Sequence, residues 1–559
     1  MNPRHLAFAA AGCVVLAAAS LLVAHEPVYD AWAWLVWGRE LAGLDLDISS
    51  GPSWKPLPVA VCALLSLAGD AAPVLWVVLV RAAWLLALVL AGGLAYRLTA
   101  GLERRLRLAA AGFAALSLLL LADDFTSWTR QGAAGMSEPL LVALVLGAVA
   151  AVLDGRSRAA LALGALAALI RPEVWALLGV YGLWRWRPEP ALRPWLAAAA
   201  VAVPVLWLGP DLLASGNRAS AGTRALRGGG APVHELLEVL WRAAQMPLLA
   251  AWPLAVLAVV RRPGRTALRV LGPGALAWIA IVAVMAAGGF PGLPRFMAPA
   301  IAIAGVLAGV GLARLLAPTT PADAAPAPAA AAPATPVDAA PAPAAAAPAT
   351  PVDAAPAPAA AAPAPATAAE ASTAHASRPR LAALALVAAA IVTIVQLPGR
   401  AEDVPHALSV TARVARSHDD LRALARAVGR ERLLRCGKLA TSDVLVRTAL
   451  AWELDVALPR VVSFGAFPKA SGAFVIGPQA TPRVRAFMRA RAELLGTRGE
   501  WSVYSLACPR PAPASSFRAA SRRSLSRSPD RAERYLRSGA AASSSSASVR
   551  SAGVSGAQR

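Results

Sequence analysis

Apolar runs recur along the chain from the N-terminus to about residue 317 and return once at residues 381–397. A membrane-crossing helix needs about 20 such residues. Short arginine-bearing clusters punctuate the runs, and their placement orients each segment, since basic loops stay on the cytoplasmic side. Residues 6–24 read as a retained first span with Arg4 inside. The run at 57–68 is too short to cross and is expected as a juxtamembrane or re-entrant helix. Residues 73–97 lead inward to the basic loop Arg97–Arg107, and 108–122 lead out again to Asp123 and Asp124. Ser137-Glu138-Pro139 opens the next span, with serine able to cap and proline tolerated in a first turn.

The run at 159–183 is interrupted by Arg171-Pro172-Glu173 and flanked by basic stretches at 156–158 and 185–193. Both flanks are cytoplasmic only if the run is a hairpin of two short helices with Arg171 and Glu173 near its outer tip. One span with a proline kink is the alternative, and it leaves a basic loop outside. Residues 196–208 lead out, 209–245 form a polar external loop, 246–260 lead in, 270–287 lead out, and the segment opened by Arg295-Phe296 returns to Arg314. With the last run, the pattern predicts an all-α polytopic membrane protein of about 11 membrane segments.

Past residue 317 the pattern changes. TPVDAAPAPAAAAPA begins at Thr335 and recurs at Thr350. Proline at that density forms neither a long helix nor a core, so 318–380 is expected as a semi-extended cytoplasmic linker. The final span, 381–397, exits outward. Residues 398–508 then read as a small extracytoplasmic α/β domain, with strands expected at 433–441, 460–464, 473–476 and 501–506 and helices near 444–455 and 483–495. The serine- and arginine-rich tail, 509–559, carries no core-forming pattern. The membrane domain proper is 1–317.

Composition agrees: 57% of the 559 residues are hydrophobic and 15% charged, against roughly 25% charged in soluble proteins. The net charge of +22 resides largely in short loops and the tail, so it does not imply nucleic acid as a partner. Cys13 and Cys62 lie in apolar runs as small core residues. Cys436 and Cys508 lie in the part placed outside, where an oxidising compartment favours a disulfide over two free thiols.

Candidate chemistry gathers on the external side. Asp30, Trp34 and Trp37 stand at i, i+4 and i+7, one face of a helix. Tryptophans there suit the headgroup layer, and a carboxylate among them would sit at the level of a lipid phosphate. An interfacial helix with one solvated acid is the plainer reading. Asp123, Asp124 and Glu138 flank the second external loop, Arg171 and Glu173 tip the hairpin, and Arg295 opens a later span. Singly, each has an ordinary explanation: a helix-terminal acid, a snorkelling arginine, a local pair. Arginines gathered outside are harder to explain in a positive-inside protein.

These residues come in the following order: a first span, an acidic loop with tryptophans, Lys55-Pro56-Leu57-Pro58, a second acidic loop, Arg171-Pro172-Glu173, and Pro294-Arg295-Phe296. In that order the chain, over about residues 1–317, resembles the GT-C glycosyltransferases, the superfamily of protein O-mannosyltransferases and aminoarabinose transferases. The resemblance implies a donor of the polyprenyl-phosphate sugar class and chemistry on the outer face of the membrane. It implies Asp30 as the catalytic acid of the first loop. Asp123 or Asp124 matches the second-loop acid, which in some members helps hold a divalent cation such as Mg or Mn; Asp124 is the metal candidate. Glu138 is a further acidic candidate. Lys55, Arg171 and Arg295 match basic positions that meet the donor phosphate. The chain departs from the pattern in having a single acid at Asp30 rather than an acidic pair, and in its Ala/Pro insertion.

The resulting expectation is a glycosyltransferase of the bacterial cytoplasmic membrane, N-terminus inside and C-terminal domain outside. Its partners are membrane lipid, the lipid-linked donor and an acceptor that is a glycan, lipid or protein. A non-catalytic scaffold of the same fold is the competing reading. A transporter would require internal repeats and midplane charges, and neither is evident.

Overall fold

A computed structural model describes residues 3–122, 127–214, 232–260, 266–317, 368–464 and 471–507. Asp123, Asp124, Cys508, most of the Ala/Pro segment and the tail lie outside the described residues. The N-terminal helices are α1 (Pro3–Ala19), α2 (Tyr29–Ala42), α3 (Pro56–Leu65), α4 (Ala72–Leu98), α5 (Arg104–Leu119), α6 (Trp128–Ala133) and α7 (Glu138–Leu153). There follow α8 (Ser157–Ala168), α9 (Glu173–Trp186), α10 (Arg193–Ala214), α11 (Pro232–Gln245), α12 (Ala251–Val260), α13 (Thr266–Ala287) and α14 (Ala298–Leu316). The C-terminal part holds α15 (Ala368–Val428), α16 (Arg430–Leu434), α17 (Arg447–Glu453) and α18 (Pro482–Arg491). It also holds strands β1 (Leu439–Thr441), β2 (Val461–Ser463), β3 (Gly472–Ile476), β4 (Glu493–Arg498) and β5 (Trp501–Leu506).

Among the described residues, 5 stretches are long and apolar enough to cross a membrane: Arg4–Leu22, Pro56–Leu98, Pro190–Leu213, Ala267–Ala287 and Pro294–Leu316. The shorter helices α7, α8 and α12 are also apolar. This is a multi-pass membrane protein. The expected legs at 108–122 and 173–183 are helical, as α5 and α9, but fall in neither group.

The centre of the bundle is α14, within a stretch that is 94% buried. Its alanines and glycines let neighbouring backbones approach closely, as small residues do between membrane helices. A Cβ on Gly305 would meet Ser117 of α5, and one on Gly309 would meet the Ala110 carbonyl. The hairpin expected around Arg171 is present. Tyr181 Oη donates to the Ser157 carbonyl at 3.1 Å, and Arg185 Nη2 and the Ser157 hydroxyl are 2.9 Å apart. Ser157 also bonds Glu189 at 2.8 Å. The start of α8 and the end of α9 therefore lie side by side. The break between them carries Arg171-Pro172, where proline lacks an N–H and disfavours helix in the residue before it.

Several expectations are corrected. No break follows Leu397, and residues 368–380, expected within the semi-extended linker, are helical: α15 runs unbroken from Ala368 to Val428, through Pro379, Pro398 and Pro405. The tryptophans of α2 are buried in protein rather than set against lipid headgroups. Trp34 and Trp37 are 1% and 0% exposed, in a core shared with Trp54, Trp76, Leu424, Leu450 and Trp501. The C-terminal unit covers them. Arg39 pairs with Asp455 at 2.9 Å and donates to the Trp452 and Val456 carbonyls. Gly38 permits the crossing of α2 over α3, since a Cβ there would stand 2.5 Å from the Cys62 carbonyl carbon.

The C-terminal sheet has order β2-β1-β3-β5-β4, parallel across β2, β1 and β3 and antiparallel beyond. β1 and β3 are buried along their whole length, as central strands with parallel neighbours are. β5 covers the expected 501–506. The expected helix 483–495 stops at Arg491, and β4 follows. Glu-Leu-Leu favours helix locally, but pairing with β5 prevails. Cys436 lies in the turn before β1, not in a strand, and is disulfide-bonded, whereas Cys13 and Cys62 are free.

Candidate active site

Asp30 lies in the first turn of α2, and that turn is held from two sides. The Val28 amide donates to the Ala134 carbonyl at 3.0 Å, and Thr448 Oγ1 of α17 donates to the Tyr29 carbonyl at 2.9 Å. Opposite Asp30 stands Arg295, in the 3-10 turn Pro294–Met297 that leads into α14. Trp278 fixes that turn by donating Nε1 to the Phe296 carbonyl at 2.9 Å. Arg295 Nη2 is 3.4 Å from Asp30 Oδ2. Its Nε is 3.7 Å from Glu138 Oε1, at the start of α7.

Glu138 leads to Lys55. Lys55 Nζ donates to Ser137 Oγ at 2.9 Å, lies 3.9 Å from Glu138 Oε1, and stands 4.8 Å over the Trp34 ring. Arg171 Nη2 is 2.5 Å from Glu173 Oε1, and its guanidinium lies 3.2 Å over the Phe296 ring. Six of the charged residues singled out in the sequence thus lie together: Asp30, Lys55, Glu138, Arg171, Glu173 and Arg295.

They are not equally accessible. Lys55, Glu138 and Arg171 are sealed, whereas the side chains of Asp30 and Arg295 are each 20% exposed. Several polar atoms of the cluster have no hydrogen-bond partner among the described residues: Glu138 Oε1, Arg295 Nε, Arg171 Nε and Glu173 Oε2. At 3.7 and 3.9 Å the contacts of Glu138 balance charge without being hydrogen bonds.

Asp30 and Arg295 open on a cavity of about 790 Å³. Its wall also carries Arg130 of α6, Arg242 of α11 and His418 of α15. A second chamber, about 810 Å³, shares Arg130 and Arg242 with the first. Most of the first cavity's remaining wall is apolar, including Val28, Leu293 and Val414. Asp30 and Glu26 line the cavity together with Arg130, Arg242 and Arg295; a site of net positive charge beside an apolar lining suits a ligand with an anionic head and a hydrocarbon tail.

Arg130, Arg242 and His418 were not singled out in the sequence. Arg242 had a signal: Val233, Leu236, Leu237 and Leu240 recur at helical spacing within what was read as a polar loop. Arg130 and His418 had none, since they reach the cavity through tertiary packing. Asp123 and Asp124 lie outside the described residues, and among those described no group of three His, Cys, Asp or Glu side chains could hold a metal ion.

Two carboxyls outside the membrane segments are shifted. Burial pushes Glu40 up to about 7, against the Asp47 amide that hydrogen-bonds it. Burial also raises Asp443, while the Leu445 amide and His418 pull it down.

The sequence matches no protein-family model and no curated protein. Among solved structures there is a likeness of fold. The chain is similar to ArnT. Over 90% of this chain and 98% of the other, it superposes on the crystal structure of ArnT from Cupriavidus metallidurans bound to undecaprenyl phosphate, at 15% identity and a TM-score of 0.48. ArnT from the same organism in the apo state gives 15% identity and a TM-score of 0.45, over 89% of this chain and 98% of that one.

Proposed function

We propose that this protein is a membrane glycosyltransferase. It moves a sugar from a polyprenyl-phosphate donor to an acceptor on the outer face of the cytoplasmic membrane of a bacterium. One observation carries the reading: Asp30 stands beside Arg295 at the wall of a partly apolar cavity that also holds Arg130 and Arg242. Transfer from a phosphate-linked sugar needs a base for the acceptor hydroxyl and positive charge on the departing phosphate. In this reading Asp30 takes the hydroxyl proton. The acceptor oxygen bonds to the anomeric carbon, and the carbon–oxygen bond to phosphate breaks with its electron pair going to phosphate. Arg295 meets that charge. Lys55, Glu138 and Arg171, sealed behind it, hold Arg295 in place.

The proposal includes Asp124 as a ligand for a divalent cation, Mg or Mn. Asp124→Asn should weaken any activation by added Mg or Mn. It also includes pairing of Cys436 with Cys508 in the outward-facing part, which non-reducing mass spectrometry would show. The test of the function is direct. Purified protein incubated with radiolabelled polyprenyl-phosphate sugars should consume at least one. If no donor is consumed, the scaffold reading replaces this one.

A further inference from the structure

A second proton-accepting group faces the cavity. His418 of α15 is 8% exposed and lines the same cavity as Asp30. Its Nδ1 is 2.7 Å from Glu26 Oε1. Glu26, itself 4% exposed, accepts from Trp32 Nε1 at 3.1 Å and from Arg422 Nη2 at 3.1 Å. A carboxylate held by an arginine and an indole is a fixed negative charge. An imidazole that donates Nδ1–H to it keeps a lone pair on Nε2. That nitrogen has no hydrogen-bond partner among the described residues, and it is not among the sealed polar atoms of the protein. A histidine that only filled a buried hydrogen bond would have no need of a cavity-facing acceptor.

We propose that His418 receives the proton released by the acceptor, with Glu26 as its positioning residue. The proposal rests on the transferase reading. As the acceptor oxygen bonds to the anomeric carbon, its proton goes first to Asp30. A proton left on Asp30 cancels the charge that faces Arg295, and it must leave before the next turnover. Passing it to His418 Nε2 restores the Asp30 carboxylate and creates an imidazolium. Glu26 then stabilises that cation, as a buried carboxylate supports a catalytic imidazolium elsewhere. The proton finally passes to water. Charged and titratable groups lie around His418: Arg422 and Asp419 on its own helix, Glu26 from the first loop, and Asp443 from the turn after β1. The same cavity is lined by Asp30, Arg130, Arg242 and Arg295.

Two measurements on the full chain in nanodiscs test this. The first needs no donor. With ring-labelled histidine, assigned by its loss in His418→Gln, NMR should show Nδ1 protonated and Nε2 titrating with bulk pH. Glu26→Gln should loosen that tautomer. An Nε2 that does not respond to pH overturns the proposal. The second is kinetic. His418→Gln should lower kcat about 10²-fold with the donor KM unchanged and the acid limb of the pH profile lost, and added imidazole should restore turnover to His418→Gly. Wild-type turnover and pH profile in His418→Gln overturn the proposal. The arms separate the two ideas: an inert His418 in an active enzyme fails this proposal alone. A titrating His418 in a chain that consumes no donor fails the transferase reading, and with it the proton's assigned source.

Discussion

Asp30 and Arg295 stand 3.4 Å apart at the wall of a cavity, and Arg171 and Glu173 stand 2.5 Å apart in the same cluster but sealed from it. Both pairs join an acid to an arginine, and Phe296 touches both arginines. The looser, half-open pair can exchange its partner for a ligand. The tighter one cannot do so without leaving a charge buried. Accessibility, not residue type, separates a reacting pair from a structural one.

The comparison breaks most plainly at Asp30. Asp30→Asn is nearly isosteric, so the fold and donor binding should persist while transfer slows by about 10²–10⁴-fold. Wild-type turnover in this variant would move the catalytic role to another acid. Next in size is the sealed pair. Arg171→Ala should cost about 3–5 kcal/mol of stability by stranding Glu173, and removing both residues should recover much of it. Thermal unfolding of the two variants decides the matter; equal melting points would show that the pair is not coupled. Arg295→Ala should unfold little but should lower donor kcat/KM about 10–10²-fold, the scale of a lost charge-assisted bond. A change in acceptor kinetics alone would take Arg295 off the phosphate.

The smallest effect comes from a third carboxylate. Glu40 is buried like Glu173 but accepts from a backbone amide, that of Asp47, at 3.0 Å. Its folded pKa, raised to about 7 from 4.5, means that the folded state holds the proton more tightly. The stability this gives is fully present below about pH 4.5 and is lost as pH rises through about 7. Glu40→Gln should flatten that slope in melting curves taken across this range. An unchanged slope would assign the pH dependence to another group.

Most of the membrane part was legible in the sequence. Apolar length and arginine placement were enough for α4, α7, α13 and α14 and for the hairpin of α8 and α9, because each signal is local. Asp30, Lys55, Glu138, Arg171 and Arg295 could be picked out because charge is conspicuous beside apolar runs. What could not be read was which of them would be sealed. That depends on α2 and its tryptophans packing under a sheet made hundreds of residues later. His418 was invisible for the same reason: its partner Glu26 is 392 residues away. β4 was misread because its residues prefer helix in isolation.

That separation in sequence also sets a schedule. The tryptophans of α2 emerge early, but the C-terminal side chains of the core they share, from Leu421 to Val503, are made hundreds of residues later. At about 5–20 residues per second, the interval of some 390 residues lasts roughly 20–80 s. Throughout that time the face of α2 that carries Trp32, which meets Trp452 and Arg422 in the finished protein, is uncovered. A chain arrested before residue 421 should leave that indole open to an aqueous quencher, and release of the full chain should close it. Chaperone demand during synthesis would then track how slowly the intervening Ala/Pro segment is translated.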